Sequence, residues 1–492
     1  MECATADGLS TVRLIVRLKT LLFTAALAFS NAAMAVNVDI SANGFEGTYA
    51  ISGVGSFDGD QSVDLAPGSY TWSSGSNFFS FDVAANGDVT STNTTSFTTG
   101  NGSLAFNTST VDVTANGFDG KMRGSMTAGN TTIAINDATS MTVIKGATWG
   151  LDNGYTGFTF DVDGAGNVTG NYPDSIATTG TDNVIELLTS EVVIDNNGYG
   201  GILQANFEPD FVTDFSDPTK TVTVINDQRW GIGNGAGGFT FTVDAAGNVS
   251  TDAGSGASIA ITASDTVQLQ TATVTMETNG FEGILRMSAN ENGGFETFDA
   301  PTDIVVIKDQ IWSVGNGTGG GAFSIFVDEN GHVTPYNTEA VSATGTDGTF
   351  SLNTVTVDVD PDGMDGLLRG AMTPGGGFIY FDDTTELVVI DDMAWSVSNA
   401  FDSITFDLDP FNGLTSLTPE SATIKNGELT FGTVAVEVDP LGFTGSYVIS
   451  GYHGGMSGVQ EFTMIEEFLY SIAVGGAISG DLFFTGDLLS VV

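Results

Sequence analysis

Cysteine is almost absent from this sequence, since Cys3 is the only one among 492 residues. A chain with one thiol can form no internal disulfide and no cysteine-based metal site, so apolar burial and strand pairing must stabilise it. Histidine is nearly as scarce, with only His332 and His453. A histidine-based catalytic triad or metal site has almost no material here, and we expect that the protein is not an enzyme.

Basic residues are also few, with 12 Lys and Arg against 60 Asp and Glu, which gives a formal net charge of −48. Nucleic-acid binding needs clustered basic side chains, so this class of function is excluded. The acid excess favours a solvated outer surface, divalent-cation binding or a high-salt environment. Because 41% of the residues are hydrophobic and 34 are Phe, the composition indicates a folded chain rather than a disordered one.

Apolar runs are short throughout, and the one at residues 21–29 follows Arg13, Arg17 and Lys19 and precedes Ala33-Met-Ala35. A basic stretch, a short apolar run and an Ala-x-Ala site are typical of a secretory signal peptide. The run is too short to span a bilayer as a helix. The sequence therefore predicts a signal peptide at residues 1–35, and a protein that is secreted or held at the cell surface.

What the sequence does have is a long repeat, marked by all five of its tryptophans. They are Trp72, Trp149, Trp230, Trp312 and Trp395, spaced by 77, 81, 82 and 83 residues. Tyr470 holds the same aromatic position in a sixth copy. A period held over the whole chain indicates tandem repeats. One Trp per repeat favours a core side chain, and the alternative is a row of sugar-stacking rings.

A second motif occurs six times with the same period and is centred on Asn-Gly or Asp-Gly in most copies. Such pairs suit the positive φ angles of a tight turn, so each copy predicts a hairpin. A large apolar residue follows the central glycine, and we expect it in the core. The six residues are Phe45, Phe118, Tyr199, Phe281, Met364 and Phe443.

Segments such as 158–162 alternate Phe and Val with Thr and Asp, which predicts half-buried antiparallel strands. The predicted fold class is all-β, with six tandem repeats of about 80 residues built from short antiparallel strands and hairpins. A closed propeller-like ring is the alternative architecture. The predicted divisions are 1–35 (signal peptide), 36–103, 104–183, 184–266, 267–349, 350–428 and a degenerate sixth repeat, 429–492.

The C-terminal segment 480–492 has two interpretations. It is either the sixth copy of a Phe-containing hairpin that follows each tryptophan, or a strand that pairs with the first repeat. The second interpretation would close the chain into a ring, or join it to another molecule.

One acidic turn is a candidate calcium site, at Asp358, Asp360, Asp362 and Asp365. Carboxylates at alternate positions around a glycine turn can present several hard oxygens to Ca²⁺. Asp161 and Asp163 form a weaker copy. No EF-hand glutamate follows, and Asp is an ordinary turn residue, so plain turn chemistry is the alternative. We expect no other cofactor.

The sequence thus predicts an exported structural or adhesive repeat protein of the cell surface or extracellular matrix, able to assemble end to end by strand pairing. The expected partners are further copies of the chain or a surface polysaccharide. One alternative is a β-propeller that binds or cleaves carbohydrate. A second is an outer-membrane β-barrel, for which the strands are short and membrane insertion is not expected.

Overall fold

The computed structural model describes residues 35–411, 413–441, 443–474, 477–485 and 488–491. The predicted signal peptide lies outside the described residues, except for Ala35. Along the described ranges, no helix has the length and apolar character needed to cross a membrane.

Short strands make up nearly all of the described chain, because residues that alternate apolar and polar side chains place one face in the core. The first unit contains β1 (Val36–Ser41), β2 (Tyr49–Ile51), β3 (Gly55–Phe57), β4 (Gln61–Leu65), β5 (Gly68–Ser74), β6 (Asn77–Val83), β7 (Val89–Ser91), β8 (Phe97–Gly100) and β9 (Ser103–Phe106). The second contains β10 (Thr108–Thr114), β11 (Gly120–Arg123), β12 (Thr132–Ile135), β13 (Ser140–Ile144), β14 (Ala147–Asp152), β15 (Gly157–Val162), β16 (Val168–Gly170), β17 (Ile176–Ala177) and β18 (Val184–Leu187).

The third and fourth units repeat this pattern. The third contains β19 (Thr189–Asp195), β20 (Ile202–Ala205), β21 (Val212–Asp214), β22 (Thr219–Ile225), β23 (Gln228–Gly233), β24 (Gly238–Val243), β25 (Val249–Thr251), β26 (Ile259–Ala263) and β27 (Thr266–Leu269). The fourth contains β28 (Thr271–Glu277), β29 (Ile284–Arg286), β30 (Phe295–Thr297), β31 (Thr302–Ile307), β32 (Gln310–Gly315), β33 (Ala322–Val327), β34 (Val333–Pro335), β35 (Val341–Ala343) and β36 (Thr349–Leu352).

The fifth unit is complete and the sixth is shorter. The fifth contains β37 (Thr354–Asp360), β38 (Gly366–Arg369), β39 (Phe378–Phe381), β40 (Thr385–Ile390), β41 (Ala394–Ser398), β42 (Ser403–Asp409), β43 (Gly413–Ser416), β44 (Ala422–Lys425) and β45 (Glu428–Phe431). The sixth contains β46 (Thr433–Val438), β47 (Tyr447–Ile449), β48 (Gln460–Ile465), β49 (Leu469–Val474), β50 (Ala477–Thr485) and β51 (Leu488–Val491). Single 3₁₀ turns lie at Ala128–Asn130, Glu291–Gly293 and Pro374–Gly376.

Each of the first five units consists of one four-stranded and one five-stranded sheet, in the orders β4-β1-β9-β8 and β3-β2-β5-β6-β7 for the first. In the sixth, the described strands form the sheets β46-β48 and β47-β49-β50-β51. The predicted fold class, an all-β array of tandem repeats, is confirmed.

The last strand of a complete unit pairs in parallel with the first strand of the same unit, as in Ile40 opposite Leu104. The predicted divisions assign this strand to the following repeat. The sheets instead group the chain as 36–106, 108–187, 189–269, 271–352, 354–431 and 433–491. A parallel partner is distant in sequence, so local patterns do not indicate it.

The Asn-Gly turns are tight, as expected, but they do not join hairpin partners. Asn43 and Gly44 have φ angles of 49° and 82°, and the Phe45 N–H donates to the Ala42 carbonyl at 3.0 Å. The strand before the turn lies in the four-stranded sheet and the strand after it lies in the five-stranded sheet. The turn therefore carries the chain across the core, and the apolar residue that follows it enters the space between the sheets.

The units form an open array. Strand β51 pairs with β50, so the described part of segment 480–492 extends the Phe-containing hairpin of the sixth unit. No strand pairing among the described residues joins the first unit to the sixth, and no described sheet closes on itself. One continuous cluster of buried apolar side chains runs through all six units.

Candidate functional site at the joints between units

All five tryptophans are buried, with exposed fractions of 0 to 1%. Trp149 lies opposite Phe160 on the neighbouring strand, and its Nε1–H donates to the carbonyl of Ile144 at 2.9 Å. The same bond recurs from Trp230, Trp312 and Trp395 to Ile225, Ile307 and Ile390. Their rings have no exposed face on which a sugar could stack. The tryptophans are therefore core side chains.

The first unit departs from this register. Tyr70, not Trp72, lies opposite Phe81 in the position that Trp149 holds opposite Phe160. The Tyr70 hydroxyl donates to the Ala66 carbonyl at 2.7 Å, while Trp72 Nε1 is buried without a hydrogen-bond partner. Trp72 lies two residues further along the same strand face, so it fills the core without occupying the repeated position.

The apolar residue after each Asn-Gly turn packs against the aromatic ring of the next unit. We call it the knob residue. The four ring pairs are Phe45–Trp149 at 5.3 Å, Phe118–Trp230 at 5.6 Å, Tyr199–Trp312 at 5.8 Å and Phe281–Trp395 at 5.6 Å between centroids. Met364 is the fifth knob residue and is fully buried. The two recurrent sequence motifs therefore meet across the first four joints.

A backbone hydrogen bond fixes the joint beside the second to fifth knob residues. The Ile202 N–H donates to the Ser288 carbonyl of the next unit at 2.9 Å, and Ile284 to Ala371 at 2.7 Å. This approach requires the preceding glycine, because a Cβ atom at Gly201 would overlap the Ser288 carbonyl oxygen. The two backbones can meet only where no side chain stands between them.

An asparagine side chain makes a second link at all five joints. Its Nδ2 donates to the carbonyl of the residue just before the next Trp or Tyr. The pairs are Asn77–Thr148 at 2.7 Å, Asn153–Arg229 at 2.9 Å, Asn234–Ile311 at 2.7 Å, Asn316–Ala394 at 2.8 Å and Asn399–Leu469 at 2.9 Å. We call these the clip asparagines. Most of the clip asparagines stand four residues after a tryptophan, so their repeated spacing is visible in the sequence alone.

Threonines at the unit starts add a third link. Thr108 Oγ1 donates to the Asn43 carbonyl at 2.9 Å, and Thr433 Oγ1 to the Asp362 carbonyl at 2.8 Å. Units are thus joined by apolar packing and by hydrogen bonds on several sides, which favours a fixed angle between neighbours.

Substituting Asn316 by Leu should weaken the joint between the fourth and fifth units by about 1–3 kcal/mol. Asn316 is 4% exposed, and Leu of similar size would leave the Ala394 carbonyl and the Thr318 N–H without their partner. Urea denaturation followed by fluorescence measures the loss. Asn330→Leu, in an exposed turn, is the matched control and should change stability little. Equal effects of the two variants would contradict a role for the clip.

Buried tyrosines predict a loss of stability in alkali. Burial raises the pKa of Tyr199, whose hydroxyl donates to the Ser288 carbonyl at 2.8 Å, and burial also raises the pKa of Tyr49, Tyr452 and Tyr470. The folded state keeps these phenols neutral while the unfolded chain ionises near pH 10, so stability should be full below that pH and fall above it. Denaturation curves between about pH 9 and 12 measure the slope. Tyr199→Phe should reduce it, and an unchanged slope in that variant would contradict the assignment.

The predicted calcium residues serve their own turns. The Asp163 carboxylate accepts hydrogen bonds from the backbone N–H groups of Ala165 and Asn167, both at 2.8 Å. A hydrogen bond from the Asn167 side chain is the main cause of the lowered pKa of Asp163. Asp161 accepts a bond from the Thr148 hydroxyl. His332 takes the place of Asn167 in the equivalent turn of the fourth unit, where its N–H donates to Asp328.

In the stronger candidate turn, Asp360 accepts the Asp362 N–H at 3.0 Å, Asp358 lies in strand β37, and Asp365 is exposed. Nowhere along the described chain do three acidic or histidine side chains group to hold a metal ion. Calcium binding stays a prediction, which calorimetric titration with Ca²⁺ would test.

A groove of about 830 Å³ lies at the joint between the second and third units, and the sequence motifs do not indicate it. Tyr155 is 50% exposed on its rim and packs against Gly231 of the next unit, where any Cβ would overlap the ring. The Arg229 guanidinium is 5.7 Å from the ring centroid. Gln204 and Phe211 complete the polar and aromatic lining.

No protein-family model and no curated protein matches this sequence. Among solved structures, the pilus adhesin SpaC from Lactobacillus rhamnosus GG is similar at 11% identity and a TM-score of 0.17, over 65% of this chain and 42% of the adhesin. The Bacillus anthracis TIE protein is similar at 9% identity and a TM-score of 0.10, over 68% of each chain. The chain therefore spans about two fifths of the adhesin's length. Neither similarity carries an argument about function at these scores.

Proposed function

We propose that this chain is an exported structural or adhesive protein of the cell surface or extracellular matrix. One observation carries the proposal: a joint of the same design occurs five times and links six units through a single core. A row of units held at fixed angles suits a protein that spans distance and presents repeated faces. The residues that recur from unit to unit are those that hold neighbouring units together.

The test has two parts. Electron microscopy of purified residues 36–492, without detergent, should show particles of uniform length. In the producing cells, antibody should label the intact surface, and deletion of residues 1–35 should abolish that labelling. Compact particles of variable shape, or labelling only after lysis, would contradict the proposal.

Assembly of copies end to end by strand pairing belongs to the same proposal. Among the described strands, β46 pairs only with β48, whereas β1 has β4 on one side and β9 on the other. The second side of β46 is thus available for a parallel strand, and open strand edges recruit partners readily.

Carbohydrate binding is a second candidate function, favoured by the groove beside Tyr155. An exposed ring backed by Gly231, with the Gln204 amide in the same lining, offers a stacking face beside a hydrogen-bonding group, which is how a sugar is held. Glycan-array binding by the full chain should fall at least about tenfold in Tyr155→Ala. Tyr336→Ala, another exposed ring, serves as control. Binding that both variants retain would contradict this site.

A further inference from the structure

The sixth unit carries an exposed apolar face where the other units carry a joint. Phe443 is the knob residue of this unit, and it is 42% exposed, whereas the five preceding knob residues are 0 to 1% exposed. Leu441, in the position of the turn asparagine, has a φ angle of 52° and is 89% exposed. Both the left-handed backbone conformation and the full exposure to water are unfavourable for a leucine side chain. An exposed apolar side chain of this kind is typical of a binding surface.

The inner joints show what such a face fits. In the second, third and fourth of them the knob residue packs against the aromatic side chain of the following unit, and an N–H three residues further on donates to that unit's backbone. The complementary surface is therefore the leading face of a unit of the same type.

The first unit presents that leading face, and it is built like the face of the sixth. Residues 47–53 and 445–451 share the pattern Gly-Thr/Ser-Tyr-Ala/Val-Ile-Ser-Gly. Tyr49 donates to the Gly59 carbonyl at 2.9 Å, and Tyr447 donates to the Gly458 carbonyl at 3.1 Å. The first and sixth units also both have Tyr at the repeated aromatic position.

In the sixth unit this face is occupied by the fifth unit. Its Gly451 and Leu469 carbonyls accept hydrogen bonds from Leu367 and Asn399, at 2.6 and 2.9 Å. The corresponding residues of the first unit, Gly53 and Ser69, are exposed. A face already shown to accept a preceding unit is thus open at one end of the array.

We infer that copies of this protein associate head to tail, with Phe443 and Leu441 of one molecule seated on the first unit of the next, against Tyr70. The inference rests on the proposed structural role and names the partner and the surfaces for it. Because the two surfaces differ, the contact is heterologous and repeats along a filament unless it closes into a ring.

This contact is weaker than an inner joint, and the residues show why. Val474 stands four residues after Tyr470, where the second to fifth units have a clip asparagine. The clip hydrogen bond is therefore lost at this contact, while the apolar packing of Phe443 and Leu441 remains. Association is therefore reversible, and it strengthens with salt, since molecules with a formal net charge of −48 repel one another at low ionic strength.

Sedimentation of residues 36–492 over a range of protein and salt concentrations tests the contact. Wild type should form chains that lengthen with concentration. Val54 follows Gly53 on the leading face and is 40% exposed. Phe443→Glu, on the trailing face, and Val54→Glu, on the leading face, should each weaken association about thirtyfold. Tyr336→Glu, an exposed ring away from both ends, should associate like wild type.

Mixing the two face variants gives the sharpest result. Each retains one intact face, so the mixture should form dimers and nothing longer. Wild type that is monomeric at every soluble concentration would overturn the inference, while uniform rods of those monomers would leave the structural role in place. A mixture without dimers, beside a wild type that polymerises, would overturn the assignment of these two faces.

Discussion

Gly201→Ala should destabilise the joint between the third and fourth units by about 3 kcal/mol or more. The added Cβ would overlap the Ser288 carbonyl oxygen, which belongs to the backbone and accepts the Ile202 N–H. A backbone obstacle cannot rotate away, so the joint must open and Tyr199 must withdraw from Trp312. Denaturation midpoints and hydrogen exchange of the Ile202 amide measure the change.

The neighbouring glycine is the control for this substitution. Nothing lies within 4 Å of a Cβ at Gly200, and its backbone does not adopt a positive φ angle. Gly200→Ala should therefore alter stability by no more than about 0.5 kcal/mol. If the two alanine variants unfolded at the same denaturant concentration, close backbone approach would not be the reason for glycine at this position.

The recurrence of Gly201 illustrates what sequence patterns reveal and what they leave out. Six copies keep a glycine two residues after the knob residue, so the period and the position are plain to see. The reason is contact with a residue 87 positions further along the chain, Ser288, which no local pattern indicates. The turn chemistry of Asn43 and Gly44 was predictable because φ angles are local, whereas the destination of the strand that follows was not.

The first aromatic marker shows the same limit. Trp72 and Tyr70 are two residues apart on one strand, so they share a face and either fits the repeat spacing. Only the pairing of Tyr70 with Phe81 identifies Tyr70 as the equivalent of Trp149. Likewise, the groove beside Tyr155 depends on Gly231 from the next unit. The residues next to Tyr155 in the sequence do not indicate that its ring is exposed.

Trp312→Ala should cost about 3–5 kcal/mol, the range for removing a buried aromatic side chain from a core. Trp312 is fully buried, its Nε1–H donates to the Ile307 carbonyl at 3.1 Å, and Tyr199 of the preceding unit packs against its ring. The variant loses packing within the fourth unit and across the joint, so the third unit should be destabilised with it. Hydrogen exchange resolved along the chain measures both losses.

The extent of that spread distinguishes a coupled array from independent beads. One apolar cluster runs through all units, and in such arrays stability is the sum of unit and interface contributions. Exchange should therefore rise in the fourth unit and its two neighbours, and change less in the first and sixth. Tyr336→Ala, 62% exposed in the same unit, should leave all units unchanged. A loss of exchange protection confined to the fourth unit would mean that the joints fix the geometry of neighbouring units but do not couple their stabilities.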